Sequence, residues 1–141
     1  MSAPVRFPFL PITSRSGVTF LQPLLPLTLR RAGEEVIRVH GLLDTGSAVN
    51  VLPYSIGLRL GAVWEAQATH VTLTGNLASQ DARALLAEAQ VSGLPAVQLV
   101  FAWTQSDAIP LLLGQVNFFQ EFDICFHRAR LHFEVQPAAR E

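Results

Sequence analysis

Lysine is absent from this 141-residue chain, and all ten basic residues are arginine. That removes lysine Schiff-base chemistry and the P-loop lysine together. Cysteine occurs once, at Cys125, so no intrachain disulfide can form and a secreted disulfide scaffold is excluded. Charge is sparse as well, at 15% of residues with a formal net value of -1. No basic surplus is left to neutralise a phosphate backbone, so no nucleic-acid partner is expected. Long apolar runs are missing too: no segment reaches the ~18 residues of a membrane span, and no membrane partner is expected. Met1 to Ile12 is broken by Pro8 and Pro11, unlike the uninterrupted core of a signal peptide. These absences together lead to the expectation of a cytoplasmic protein.

What is present is apolar: half the chain, which is enough for one compact domain and leaves no room for a second. Short apolar runs separated by Gly, Pro, Ser and Asn predict an all-β domain with closely spaced strands. Leu24 to Arg31 and Glu35 to Leu43 read as a hairpin turning across Arg31-Ala32-Gly33-Glu34. Ala48 to Leu52 is a further apolar run. Pro53 can open a two-turn helix, weakened by Gly57 and closed at Gly61. His70 to Thr74 alternates as a strand. Asp81 to Val91 places Ala82, Leu85, Leu86 and Ala89 at helical spacing and, on local propensity, reads as a helix. Ala96 to Thr104 reads as a strand with Val97, Leu99, Phe101 and Trp103 on one side. Ile109 to Leu113 is a buried run ending at Gly114, and Gln115 to Gln120 a short helix. Phe122 to His127 and Ala129 to Val135 form a closing hairpin.

The chain has four aspartates, Asp44, Asp81, Asp107 and Asp123. Only Asp44 lies between two apolar runs, where a carboxylate is expensive. In Asp44-Thr45-Gly46 the hydroxyl can bond locally and the glycine permits a tight turn and close backbone approach. Taken alone, the tripeptide is equally a strand end whose carboxylate caps a turn.

The flanks add to it. Gly41-Leu42-Leu43-Asp44-Thr45-Gly46-Ser47-Ala48-Val49-Asn50-Val51-Leu52-Pro53 is followed by Pro110-Leu111-Leu112-Leu113-Gly114, with Gly114 lying 70 residues after Asp44. In order and spacing this pair of motifs resembles the retropepsin-like aspartic proteases, and is most similar to the small single-domain members found in bacteria. The resemblance covers roughly Leu24 to Val135. It implies a closed retropepsin-like β-barrel with one or two short helices, working as a C2 homodimer. The domain would span 23–136, with 1–22 an interface strand or extension and 137–141 a tail. It also implies that Asp44, Thr45 and Gly46 form the catalytic loop, and that Ser47, Ala48, Gly75, Asn76, Leu77 and Leu112 bind a peptide or protein substrate. Gly75-Asn76-Leu77-Ala78 would be the tip of a flap hairpin, and Asp81 to Val91 its return strand instead of a helix. Such chemistry uses a pair of carboxylates sharing one proton and no cofactor. One chain carries one Asp-Thr-Gly, so two chains are required.

The pattern has departures. Retroviral members carry a second aspartate two residues after the glycine and an arginine after the later Leu-Gly; here the positions are Ala48 and Gln115. Both partners of the charged pair are missing together, so no buried charge is orphaned. The flap has one glycine, Gly75, where retroviral flaps have several. These departures motivate a second reading, a retropepsin-like fold used as a peptide-binding or dimerisation module.

Other groupings weigh less. Asp123, Cys125 and His127 alternate on one strand face with His132 on its hairpin partner, which makes a metal site geometrically conceivable. The simpler expectation is no metal, with Phe122, Ile124 and Phe126 inward and the polar set outward. Ser47 sits in no nucleophile elbow. Asn50 and Tyr54 either line the cleft or bond internally. Trp64, Trp103, Phe118 and Phe119 read as core or interface aromatics.

Overall fold

The computed structural model describes residues 3–139; Met1 and Ser2 of the N-terminal segment and Arg140 and Glu141 of the tail lie outside the described residues. Twelve strands and two short helices follow in chain order: β1 (Val5–Pro8), β2 (Leu10–Thr13), β3 (Thr19–Gln22), β4 (Leu24–Arg30), β5 (Ile37–Leu43), β6 (Asn50–Leu52), α1 (Tyr54–Arg59), β7 (His70–Val71), β8 (Ala82–Gln90), β9 (Val97–Thr104), β10 (Leu112–Leu113), α2 (Phe118–Glu121), β11 (Phe122–His127) and β12 (His132–Pro137). The largest sheet runs β4-β5-β10-β6-β9-β8-β7, and an extra pairing of β4 with β8 closes its first six strands into a barrel. β1, β12 and β11 form a second sheet, and β2 with β3 a separate ribbon.

Period-two alternation decides which way each strand faces. Leu99, Phe101 and Trp103 of β9, Leu52 of β6 and Leu113 of β10 enter the barrel core. Their neighbours Ala102, Val51 and Leu112 turn the other way, into a smaller cluster with Leu73, Ala82 and Ile109. β6 and β10 are therefore buried on both faces, which is why Ile109 to Leu113 reads as an apolar run and Val49 to Leu52 is apolar but for Asn50.

The segment around Asp44 is fixed by a crossing. β10 pairs parallel with β5, Leu113 opposite Leu43, and antiparallel with β6, Leu112 opposite Val51. The loop from Asp44 to Val49 thus bridges two strands that flank a third. At the crossing Asn50, fully buried, accepts from the Gly114 N–H at 2.8 Å and donates to the Val100 carbonyl at 2.9 Å and to Asn117 Oδ1 at 3.1 Å. A Cβ on Gly114 would strike the Val49 carbonyl and lie 2.7 Å from that of Ser47, so glycine is required by contact.

Several expectations shift in detail. The β4–β5 turn is wider than Arg31 to Glu34, since pairing ends at Leu29 opposite Ile37. Asp81 to Val91 is a strand, β8, paired with β9 from Ala82 opposite Thr104 to Ala89 opposite Val97. Ala82, Leu85, Ala87 and Ala89 are buried there, so sheet pairing and burial outweigh a helical propensity worth tenths of a kcal/mol per residue. His70 to Thr74 is strand only over β7, and α2 begins at Phe118 rather than Gln115. The closing hairpin turns through a 3₁₀ segment, Arg128–Arg130, before β12. Gly57 lies where a Cβ would collide with the Trp103 indole, so its cost to helix propensity accompanies a contact that no larger residue permits. Phe7 of β1 and Phe9 join the barrel core, and β1 pairs with β12.

Asn50→Leu keeps the volume while leaving the buried Gly114 N–H without a partner. It should lower the unfolding free energy in urea by about 3 kcal/mol. Asn76→Leu, on an exposed turn, should change it by less than about 0.5 kcal/mol.

Candidate active site

Asp44 is the first residue beyond β5, and its backbone N–H extends the β5–β10 ladder by donating to the Leu113 carbonyl at 3.0 Å. The chain then turns sharply. The Gly46 N–H donates to Asp44 Oδ1 at 3.0 Å and the Ser47 N–H to the Asp44 carbonyl at 3.1 Å, fixing the carboxylate against its own loop. Ser47 Oγ donates to the Val49 carbonyl at 2.7 Å, which occupies the hydroxyl as a loop brace. On the far side the loop is stitched to the strand it bridges: the Gln115 N–H donates to Ser47 and the Val116 N–H to Ala48, at 2.9 and 3.0 Å. Gln115 Nε2 adds a 2.7 Å bond to the Thr45 carbonyl.

Asp44 looks into a cleft of about 470 Å³ whose lining also includes Gly46, Ser47, Ala48, Gly75, Asn76, Leu77 and Leu112. The structure thus brings together eight of the nine site residues expected from the sequence. Thr45 is the one outside the lining, exposed at the loop's outer bend. The flap element departs from a regular hairpin tip. The β7–β8 ladder stops at Val71 opposite Ala82, Gly75–Leu77 forms a 3₁₀ turn, and Gly75 takes φ +64°, a left-handed conformation that glycine adopts without strain. Leu73 anchors this segment by packing with Val51, Ile109 and Leu112 on the cleft's apolar floor.

Sequence reasoning missed Thr72, Leu73 and Thr74 as lining residues, along with Ala108, Ile109 and Pro110 opposite them. Spacing gave no signal for them: Ile109 shares parity with Leu111 and Leu113, which serve the barrel core, yet packs with Leu112 on the cleft floor. Asn50 falls on the internal-bonding side of the two roles open to it. Tyr54 stacks on Trp103, centroids 5.7 Å apart, and lines no part of the cleft. Trp64, Trp103 and Phe118 are core, with Phe119 packed against them.

Among the described lining residues Asp44 is the sole charged group, set in walls of Val49, Val51, Leu73, Leu77, Ile109 and Leu112. Such a cleft suits an extended chain with apolar side groups and offers one carboxylate to its backbone. The polar set on β11 and β12 lies elsewhere. There His127 hydrogen-bonds Glu134 at 2.8 Å, and this bond above all holds the Glu134 carboxyl below its usual range. Beside it, burial first and Arg6 second push His132 down.

No protein-family model and no curated protein matches the sequence. Among solved structures, the chain is similar to the crystal structure of a retropepsin-like aspartic protease from Rickettsia conorii. The TM-score is 0.62 with 12% identity, and 96% of each chain is covered. Among the described residues no helix is long and apolar enough to cross a membrane. With the closed six-strand barrel, the bridged crossing and the aspartate at its mouth, that likeness gives the chain the retropepsin-like fold.

Proposed function

We propose that the chain is an aspartic endopeptidase acting as a homodimer, with Asp44 of each copy forming the catalytic dyad. The observation that carries this reading is the position of Asp44: the lone charge among the described residues lining an apolar cleft, on the bridging loop of a retropepsin-like fold. Peptide hydrolysis by water needs a base to take a proton from the water and an acid to give one to the carbonyl oxygen. One cleft supplies one carboxylate, so a second copy supplies the other. The two carboxylates of such a pair share one proton, so that one serves as base and the other as acid. In the first step one Asp44 carboxylate deprotonates the water while its protonated mate donates to the carbonyl. In the second the newly protonated Asp44 gives its proton to the leaving nitrogen as the C–N bond breaks, while its mate takes a hydroxyl proton back from the tetrahedral diol, so the pair ends singly protonated.

Thr45 and Gly46 hold the geometry, Gly46 through its bond to Asp44 Oδ1. Gly75, Asn76 and Leu77 lie over an extended substrate, and Ser47, Ala48 and Leu112 border it. A cytoplasmic setting fits Cys125, an exposed free thiol.

Asp44→Asn tests the reading on a diverse peptide mixture, with products identified by mass spectrometry. The variant should retain the wild-type melting temperature and lose at least about 10³-fold in cleavage rate. Wild-type cleavage surviving intact in Asp44→Asn would sink the proposal. The rate should follow a bell on the acidic side of neutrality. It falls at higher pH as the second carboxylate ionises and the acid is lost, and at lower pH as the base is protonated. Rate per chain should also fall on dilution through the dimer dissociation constant, in step with a sedimentation shift from two chains to one. Ala48 and a flap turn with one glycine favour a second reading, a peptide-binding module. Peptides bound and released intact by a folded dimer would select it.

A further inference from the structure

The sheet of β1, β12 and β11 lies outside the barrel and has two unlike faces. One carries Phe7, Phe122, Phe133 and Val135 into the core. On the other, register places Cys125 opposite Glu134 and His127 opposite His132, with Arg6 of β1 opposite Glu134. Alternation therefore sets Cys125, His127, His132 and Glu134 side by side on the outward face. Donor atoms of Cys125, His127 and Glu134 all fall within 4.8 Å of one another. The His127 and His132 rings lie 4.6 Å apart, centroid to centroid. The sequence set for a metal contained Asp123; the fold groups Glu134 with the cysteine and histidine instead.

We propose that Cys125, His127 and Glu134 form a binding site for a zinc-class divalent ion, staple-like across β11 and β12, with a water or His132 in the fourth position. The donor set is one thiolate, one imidazole and one carboxylate, a combination that suits Zn²⁺ in tetrahedral coordination. With metal–ligand distances of ~2.0–2.3 Å, tetrahedral donors sit about 3.5 Å apart. Side-chain rotation of about 1 Å on neighbouring strands closes the larger gaps, with no movement of the ladder.

Charge is the opposing consideration. Arg130 donates to His127 Nδ1 at 2.8 Å, and Arg6 lies across from Glu134. The thiolate and the carboxylate together carry two negative charges, which balance the ion itself. Arg130 is exposed and lies on the 3₁₀ turn between the strands. As the ion takes Nε2, the ring's one proton is exchanged through solvent from Nε2 to Nδ1, so the imidazole stays neutral in its other tautomer. Nδ1 then no longer accepts from Arg130, and the guanidinium swings away. Arg130 is thus a competitor for the site.

The test uses the full chain, reduced and stripped with EDTA, and ZnCl₂ as the probe. Cys125 is the one cysteine of the sequence, so its reaction with a chromogenic disulfide reports this site alone. One equivalent of Zn²⁺ per chain should slow that reaction at least about tenfold through loss of the free thiolate, and excess EDTA should restore it. The melting temperature should rise with zinc concentration, as for any ligand of the folded state. His127→Ala and Glu134→Gln should each weaken protection about tenfold or more, and Arg130→Ala should tighten it. Since Arg130 is exposed, that variant tests the proposal even if the others fold poorly. Equal protection in the wild type, His127→Ala and Arg130→Ala would mean zinc on a lone thiol and overturn the site, as would no protection at all. Peptide cleavage plays no part in the readout, so failure of the proposed endopeptidase reading leaves this result standing.

Discussion

A single buried amide holds the crossing on which everything near Asp44 depends. Asn50 receives the Gly114 N–H and reaches with its Nδ2 to the Val100 carbonyl and to Asn117 Oδ1. Asn117 continues the chain, accepting from the Val100 N–H at 3.0 Å and donating to the Gln98 carbonyl at 2.9 Å. Two side chains thereby do what a ladder does elsewhere. They satisfy backbone groups at the point where β10 ends between β5 and β6 and the main chain has turned out of pairing. In a low-dielectric interior such a network is fully satisfied or very costly, which makes Asn50 a specifying residue as much as a stabilising one. Gly114 is the steric half of the same arrangement, because the carbonyls of Ser47 and Val49 occupy the space of any side chain there.

From that crossing the two-core organisation follows. A strand covered on both faces takes apolar residues or, as at Asn50, a polar one with its bonds satisfied, and the apolar residues of β6 and β10 serve the barrel with one set and the cleft floor with the other. Val51, Leu73, Ile109 and Leu112 of that floor are all buried. The flap segment is anchored at Leu73, while Gly75 and Asn76 stand clear of any core. Buried residues under the carboxylate and exposed ones above it belong to the same arrangement.

The barrel and its strands were largely legible because hydrophobic runs and turn punctuation are local signals. Ala82–Gln90 shows where local signals mislead. Its Ala, Leu, Glu and Gln favour a helix one residue at a time, yet the segment has β9 on one side and β4 on the other. Only long-range pairing, invisible to a window of composition, decides it. Asn50 was ambiguous for the same reason, since its partners lie 50 to 67 positions away. The cleft residues of the Asp44 loop were legible because the motif itself carries them. Thr72 to Thr74 and Ala108 to Pro110 were not, because loops that meet only through the fold leave no mark on spacing.

The two departures at Ala48 and Gln115 gain a physical meaning in this setting. An aspartate and an arginine at these positions would tie the loop to the strand end through a charge pair, costly to desolvate and sensitive to the loss of either member. In this chain the tie is neutral: Gln115 Nε2 reaches the Thr45 carbonyl at 2.7 Å, with the Gln115 and Val116 N–H groups bonding to Ser47 and Ala48. Backbone pairing already fixes the distance, so the side chain needs to supply only one more bond. A neutral tie leaves Asp44 as the sole charge among the described residues of the cleft. Losing both charges simplifies the electrostatics of the site while the hydrogen-bonded frame preserves its geometry.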